Sequence, residues 1–242
     1  MPAMDAVNVD HLLLRLIAIS AATALTVGGY LFGLFCYRRS NSFSLLHPVP
    51  VASLLIAGFI FLFSIPASYY EQGCALLRWL LGPATVALAL PLYQQLQKIR
   101  ALIKPISIGI LVGSLLAIFS ALLPAQWLSA SDVVLRSLAS KSVTTPIAIA
   151  VADDIDGLIS LAAGAVILTG ILGICIAPWI FRLFGIRDPR ARGFALGLAA
   201  HGIGTAKALE ESPQSAAFAT LSLCLTGLFS SLIIPALIVW LL

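Results

Sequence analysis

The segment Lys141-Ser142-Val143-Thr144-Thr145-Pro146 combines a cation, three hydroxyls and a proline in a chain that is otherwise mostly apolar. Polar groups and prolines are costly inside a membrane unless they face protein or water, so this segment should line a cavity rather than lipid. An ammonium beside hydroxyls and free helix-end N–H groups suits a carboxylate or a phosphate. We therefore predict that Lys141, Ser142, Thr144, Thr145 and Pro146 bind a small anion. The alternative is an interfacial lysine that extends to the membrane surface.

A second candidate is His201, which is followed by Gly202, Gly204 and Thr205. The small residues on both sides would let backbone or ligand approach closely. A histidine within a membrane is by default a proton relay or a ligand contact, so we predict substrate binding by all four residues and proton coupling at His201. The alternative is a histidine that is hydrogen-bonded between two helices.

A third candidate is the sequence Gly82-Pro83-Ala84-Thr85, which shares a Gly-x-small-Thr pattern with Gly202-Ile203-Gly204-Thr205. The two lie about 120 residues apart in a chain of 242. Paired broken helices at corresponding positions indicate a transporter binding site, so Gly82, Pro83 and Thr85 join the predicted site. The pattern also suggests an inverted repeat with halves 1–124 and 125–242. The alternative is that the small residues simply allow close helix packing.

Acidic residues and cysteines offer weaker signals. Asp153, Asp154 and Asp156 could attract a coupling cation or protons, although acidic loop clusters usually form a solvated rim. The cysteines are far apart and predict neither a metal site nor a disulfide framework: Cys36, Cys74, Cys175 and Cys224. The chain has no nucleophile elbow, no His-Glu-x-x-His and no phosphate-binding Gly-Lys-Ser/Thr loop. The sequence therefore predicts a protein that is not an enzyme and has no cofactor.

The elements that must position these residues are transmembrane helices. Hydrophobic residues make up 60% of the chain and charged residues 10%, whereas a soluble domain has about 25% charged residues. The composition predicts an all-α, polytopic membrane protein that forms one transmembrane domain over residues 1–242. Acidic residues stand where a signal peptide would be basic, so we expect the first span to be retained. The basic residues lie in short loops, which indicates membrane orientation rather than nucleic-acid binding.

About eight membrane segments are expected, some of them broken or re-entrant. They cover residues 11–35, 48–65, 76–97 with a break at Gly82-Pro83, 105–123, 132–152, 158–181, 193–209 and 218–242. The loops with Arg38 and Arg39, and with Lys98, Arg100 and Lys104, predict cytoplasmic positions, which puts the N-terminus outside.

Segment 132–152 allows two arrangements. A single crossing would place the loop with Arg182, Arg187, Arg190 and Arg192 outside, against the usual charge bias. A re-entrant hairpin would place this loop inside and Lys141–Pro146 at the hairpin tip. We favour the hairpin, and the single crossing remains the alternative.

Four stretches resemble signature segments of the LrgB/CidB family. They are Leu81–Tyr93, Lys141–Ala148, Ile167–Gly173 and His201–Ala206, and the resemblance extends over residues 10–242. One departure is the turn after the Thr-Thr-Pro motif. The family pattern there is similar to Gly-Gly-Ile-Pro, whereas this chain has Asp154-Ile155-Asp156-Gly157-Leu158.

The resemblance implies two functions. One is transport of small carboxylates such as glycolate, glycerate or pyruvate across a bacterial inner membrane, either with or without proton coupling. The transporter would be a homo-oligomer. The other is a holin- or antiholin-like role in murein hydrolase export and cell lysis, with a small LrgA/CidA-type membrane protein as partner. The cationic, hydroxyl-rich break at mid-chain favours the carboxylate transporter, and the antiholin-like role is the alternative.

Overall fold

The computed structural model describes the backbone of residues 6–40, 46–87 and 89–241, but not the side chains of residues 6–12, 81, 84, 85, 91 and 92. The described residues form helices and no strands, which confirms the all-α prediction. They fall into two compact units, Met1–Ala87 and Leu88–Leu242. This division differs from the predicted halves 1–124 and 125–242, and the inverted repeat remains a prediction.

The first unit contains helices α1 (Ala6–Arg39), α2 (Pro48–Leu62), α3 (Ala67–Gly73) and α4 (Ala75–Ala87). Glycines allow its helices to pack closely, since a Cβ at Gly33 would lie 2.9 Å from Pro48 Cα. The hydroxyls of Thr26 and Tyr70 lie 2.7 Å apart and join α1 to α3.

The break predicted at Gly82-Pro83 is wrong, because α4 continues through Pro83 to Ala87. A proline removes one backbone hydrogen bond, but helices in membranes tolerate this loss. The interruption that the described residues show in segment 76–97 lies later, at Gln95 between α5 (Ala89–Gln94) and α6 (Leu96–Ala101).

The second unit continues with the remaining helices in chain order: α7 (Ile103–Trp127), α8 (Asp132–Ala139), α9 (Thr145–Asp154), α10 (Ile159–Leu183), α11 (Pro189–Glu211) and α12 (Pro213–Leu241). Among the described residues, α7, α10, α12 and the part Leu13–Arg39 of α1 are long and apolar enough to cross a membrane. Helix α2 has only 15 residues. The chain is therefore a multi-pass membrane protein, and the number of eight segments remains a prediction.

Helices α8 and α9 form a helical hairpin, which we call the first hairpin. Leu135 of α8 and Ile155 at the end of α9 belong to one hydrophobic cluster, together with Leu122 near the end of α7. Arg136 closes the base of the first hairpin, because its Nη1 donates a hydrogen bond to the carbonyl of Ile155 at 3.0 Å. The chain therefore returns to the end of the unit where α7 finishes, which agrees with the predicted hairpin and not with a single crossing.

Helix α11 also reverses, and its two arms, 189–200 and 202–211, form the second hairpin. His201 between them has the non-helical angles φ 41° and ψ −127°. Arg192 and Glu211 would be about 28 Å apart in a straight helix. Their side chains instead form an ion pair at 2.8 Å. The interruption predicted in segment 193–209 therefore lies at His201. The segment re-enters as well, a reversal that the sequence did not predict.

The two hairpins enter the second unit from opposite ends. The base of the first hairpin shares a cluster with Ile238 at the end of α12. The base of the second hairpin packs against the start of α12, where a Cβ at Gly193 would overlap the backbone of Ser215. The first hairpin therefore lies at one end and the second hairpin at the other. The basic residues around Arg190 share that second end with Leu102 at the start of α7.

Candidate functional site

The tips of the two hairpins meet beside helix α10. Val143, at the tip of the first hairpin, belongs to one buried cluster with Ala148 and Val166. The imidazole of His201, at the tip of the second hairpin, lies with Nε2 2.9 Å from the carbonyl oxygen of Val166. Val166 therefore contacts both tips and brings the two main predicted candidates, Lys141 and His201, to one place.

Lys141 carries a positive charge where the two hairpin tips meet. Its ammonium donates to the hydroxyl of Ser142 at 3.2 Å, and Ser142 is buried. Within the described part of the chain, no carboxylate lies within ion-pair distance of Lys141. An anion could therefore bind Lys141 without first displacing a protein carboxylate.

The hydroxyls near Lys141 have different environments. Ser140 is fully buried, and its hydroxyl donates to the carbonyl of Ala148 at 3.4 Å within the first hairpin. Thr144 precedes α9 in an extended conformation and its side chain makes no capping hydrogen bond. Thr145 and Pro146 form the first turn of α9. Thr144 and Thr145 thus stand at a helix N-terminus, the end that favours negative charge.

The residues after His201 serve the turn of the second hairpin. The hydroxyl of Thr205 donates to the carbonyl of His201 at 2.9 Å and is buried. A Cβ at Gly204 would overlap the carbonyl of Leu196, so only glycine lets the two arms approach this closely. Gly202 is exposed and has open space around it. Thr205 and Gly204 are therefore explained by the fold. His201 is buried and hydrogen-bonded between α11 and α10, whereas Gly202 is exposed at the tip.

The aspartates lie away from the tips. Asp153 and Asp154 end α9 at the base of the first hairpin and are exposed. Asp156 is 3.7 Å from Arg136 and adopts the left-handed backbone conformation with φ 56°. This is the turn where the family resemblance implies glycines, and aspartate is among the residues that tolerate such angles. The three carboxylates form a rim at this end.

The other predicted site residues belong to the first unit. Gly82 and Pro83 are exposed positions of α4. Thr85 is in the same helix, and its side chain lies outside the described residues. Their part in a substrate site remains a prediction.

A cavity of about 670 Å³ extends from the first hairpin tip along the second unit. Lys141 and Ser142 line one part of it. Residues of α7, α10 and the first arm of α11 form the rest, and most of these are apolar or small, such as Leu116, Leu172 and Ile176. The arrangement thus offers one cationic position at the margin of an apolar space.

Sequence reasoning missed the residues that hold the two hairpins. Arg136 closes the first hairpin, and Arg192 closes the second. The guanidinium carbon of Arg192 also lies 5.1 Å from the centroid of the Phe181 ring. Gly170 accommodates the imidazole, since a Cβ there would lie 2.7 Å from His201 Cε1. An arginine near a short apolar segment is only weak evidence for a hairpin closure, because many arginines in membrane proteins lie in loops. The described residues contain no group of three His, Cys, Asp or Glu side chains that could hold a metal ion.

Comparison with known proteins gives consistent matches. Residues 26–240 match the model of the LrgB-like family. The uncharacterized protein YwbG of Bacillus subtilis is 38% identical over 191 residues, which are 79% of this chain and 85% of that protein. The uncharacterized protein YxaC of the same organism is 35% identical over 217 residues, covering 90% of this chain and 94% of that protein.

A relative with a functional name is more distant. The antiholin-like protein LrgB of Bacillus subtilis is 28% identical over 203 residues, covering 84% of this chain and 88% of that protein. No solved structure matches the chain at a significant level. The comparisons therefore favour the antiholin-like alternative over the carboxylate transporter that the sequence analysis preferred.

Proposed function

This chain belongs to the LrgB-like family, and we propose that it acts as an antiholin-like membrane protein that restrains murein hydrolase export and cell lysis. The observation that carries this proposal is the match of residues 26–240 to the family, with an antiholin-like relative aligned over 84% of the chain. The role requires no catalysis by the chain itself. We place the protein in a bacterial inner membrane with its N-terminus outside.

A small LrgA/CidA-type membrane protein is the proposed partner. Many large apolar side chains of the described helices are exposed, including Leu232 at 68% and Trp240 at 81%. Such surfaces contact lipid or neighbouring helices, and helix association in membranes depends on close packing. A partner helix or a second copy of the chain would bind there.

The test is expression of the chain in bacterial cells, with murein hydrolase activity measured in the medium and lysis followed after the membrane potential is dissipated. Cells with the chain should release less hydrolase and lyse later than cells with an empty vector. Arg192→Met, which removes the ion pair to Glu211, should abolish the effect at equal membrane abundance. Arg187→Met, at an exposed position just before α11, is the matched control and should retain the effect.

Equal hydrolase release with and without the chain, at confirmed membrane abundance, would reject the antiholin-like role.

A second candidate function is transport of a small carboxylate such as glycolate, glycerate or pyruvate. The specific observation that favours it is Lys141, an ammonium without a carboxylate partner in the described structure, at the place where two hairpin tips meet. Broken helices that enter from opposite ends are a common way to build a transporter site. In this role Lys141 would pair with the carboxylate, and Ser142, Thr144 and Thr145 would donate hydrogen bonds to it.

Uptake of labelled glycolate, pyruvate and lactate into proteoliposomes tests the second candidate. Saturable uptake should be abolished by Lys141→Ala and retained in Lys104→Ala, which removes the same charge at an exposed position. Leakage of unrelated dyes that is insensitive to Lys141→Ala would instead indicate a non-selective pore and reject the carrier.

A further inference from the structure

The cavity beside Lys141 is much larger than a two- or three-carbon acid requires. Its volume of about 670 Å³ corresponds to about 20 water molecules at about 30 Å³ each. It follows α10 from Thr169 to Phe181, a distance of about 18 Å at about 1.5 Å per residue. Several of its wall side chains are exposed, such as Leu116 at 65% and Leu172 at 48%, so a small carboxylate at Lys141 would leave most of the walls to lipid tails.

The walls away from Lys141 are hydrocarbon. Leu116 of α7 and Leu172, Ile176 and Ile180 of α10 all line this space. Ser120 also lines it, but its hydroxyl donates to the carbonyl of Ala117 at 2.9 Å and is therefore already satisfied. An apolar tail that moves from water to these walls and displaces a lipid tail into the bilayer would gain about 0.8 kcal/mol per buried methylene.

We infer that the cavity binds an amphipathic monocarboxylate, with its carboxylate at Lys141 and Ser142 and an aliphatic tail along α10. The inference rests on the second candidate function only for the position of the carboxylate. It adds the chemical class of the ligand, a single-chain acid of about six to ten carbons. Affinity then comes from methylene burial, and selection against neutral amphiphiles comes from the Lys141 ammonium.

The position of Lys141 distinguishes a free acid from a phospholipid. Phospholipid headgroups lie at the membrane surface, whereas Lys141 is at the tip of a hairpin whose base, at Asp154 and Asp156, is exposed. The tip is separated from that base by α9, which is about 15 Å long. A headgroup cannot remain at the surface and contact Lys141, but a free carboxylate can enter with its tail.

Calorimetric titration of the chain in neutral-lipid nanodiscs tests this inference, with empty nanodiscs subtracted to remove partitioning into lipid. Straight-chain acids from acetate to decanoate are the probes. Affinity should rise about fourfold per methylene up to about eight carbons, and octan-1-ol should bind at least tenfold more weakly than octanoate. Lys141→Met should remove the difference between octanoate and octan-1-ol, and Lys141→Arg should keep it.

Filling the cavity provides a variant that leaves Lys141 in place. Ala117→Phe, in the cavity wall, should weaken octanoate binding at least tenfold and leave acetate binding unchanged. Ala236→Phe is the matched control, because Ala236 is exposed on α12 and does not line this cavity, and it should bind octanoate normally.

Equal affinity for acetate and octanoate would overturn the inferred tail site while leaving the small-carboxylate carrier intact. Displacement of octanoate by added anionic phospholipid would overturn it in favour of a lipid. Absence of binding by any acid would overturn both this inference and the carrier, whereas the antiholin-like role is tested separately by the lysis measurements.

Discussion

His201 adopts a backbone conformation that is strained for any residue with a side chain. Its φ of 41° and ψ of −127° lie outside the helical regions, and such angles cost about 1–3 kcal/mol. The strain is tolerated because the imidazole contacts the Val166 carbonyl and Thr205 binds the carbonyl of His201 itself. The reversal of α11 thus depends on local side-chain contacts.

Comparing two substitutions separates the backbone strain from the imidazole contact. His201→Gly and His201→Ala both remove the contact to Val166, but only glycine adopts the required angles without strain. We expect the glycine variant to be more stable than the alanine variant by about 1–3 kcal/mol. Thermal unfolding in detergent measures this difference, and an equally stable alanine variant would contradict the strained conformation.

Gly204 and Gly202 provide a second matched pair. A methyl group at Gly204 would overlap the Leu196 carbonyl, whereas a methyl group at Gly202 would meet open space. Gly204→Ala should therefore cost about 1–3 kcal/mol. Gly202→Ala should be neutral or stabilising by up to about 1 kcal/mol. Melting temperatures of the two variants, compared with the unmodified chain, test both expectations, and equal losses would argue against close contact of the two arms.

Each hairpin has an arginine at its base, although the partners differ. Arg136 binds a backbone carbonyl of the turn after α9, and Arg192 binds the carboxylate of Glu211. The first hairpin is also closed by Ser137, whose hydroxyl accepts a hydrogen bond from the Leu158 N–H at 2.7 Å. These contacts set the distance between the two arms and therefore the positions of the tips.

Removing the arginine of the first hairpin should destabilise the fold. Arg136→Met leaves the Ile155 carbonyl without this donor, and hydrogen bonds to charged groups contribute about 1.5–3 kcal/mol. The control is Arg78→Met, because Arg78 and Glu71 are 62% and 72% exposed. Such exposed pairs contribute about 0–1 kcal/mol. A melting-temperature loss for Arg136→Met no larger than that for Arg78→Met would contradict this role.

The start of the second hairpin should show pH dependence. Asp188 accepts hydrogen bonds from the side chain and the backbone N–H of Arg190, and these lower the pKa of its carboxyl group. A lowered pKa in the folded state means that this stabilisation is fully present above the ordinary pKa of about 3.9. It is lost as pH falls through the lower folded value.

Asp188→Asn isolates this contribution because asparagine keeps an oxygen acceptor for the Arg190 N–H. The unmodified chain should melt at a higher temperature than the variant at pH 7. The difference should shrink as pH falls below the ordinary carboxyl pKa and disappear below the lower folded pKa. A difference that is constant between pH 7 and pH 3 would show that the carboxylate charge does not stabilise the helix.

In the second unit, basic loops and aspartates lie at opposite ends. Single cysteines at Arg100, Arg187 and Asp154, in a chain whose four cysteines are replaced, should therefore label from two different sides of the membrane. We expect the cysteines at positions 100 and 187 to react with a membrane-impermeant thiol reagent from the cytoplasmic side, and the cysteine at position 154 to react from the other side. Labelling of Arg100 and Arg187 from opposite sides would contradict the two-hairpin arrangement.

Part of this arrangement follows from composition and charge. The apolar lengths predict α7, α10 and α12, and the four-arginine loop predicts the first hairpin with Lys141 at its tip. The break at Gly82-Pro83 was predicted wrongly, because a proline disrupts a helix less in an apolar environment than its missing hydrogen bond suggests. The reversal of α11 could not be predicted, since it depends on a positive φ at His201, a non-glycine residue, and on a long-range ion pair.

Each hairpin begins and ends at the same end of the second unit. The helix that follows a hairpin therefore starts on the side where the helix before the hairpin finished. The two hairpins therefore do not change the orientation in which α7, α10 and α12 cross the membrane. Arms of about 8 to 12 residues are too short to insert as independent spans. The hairpin tips should then form last, once the surrounding helices provide protein groups for them to pack against.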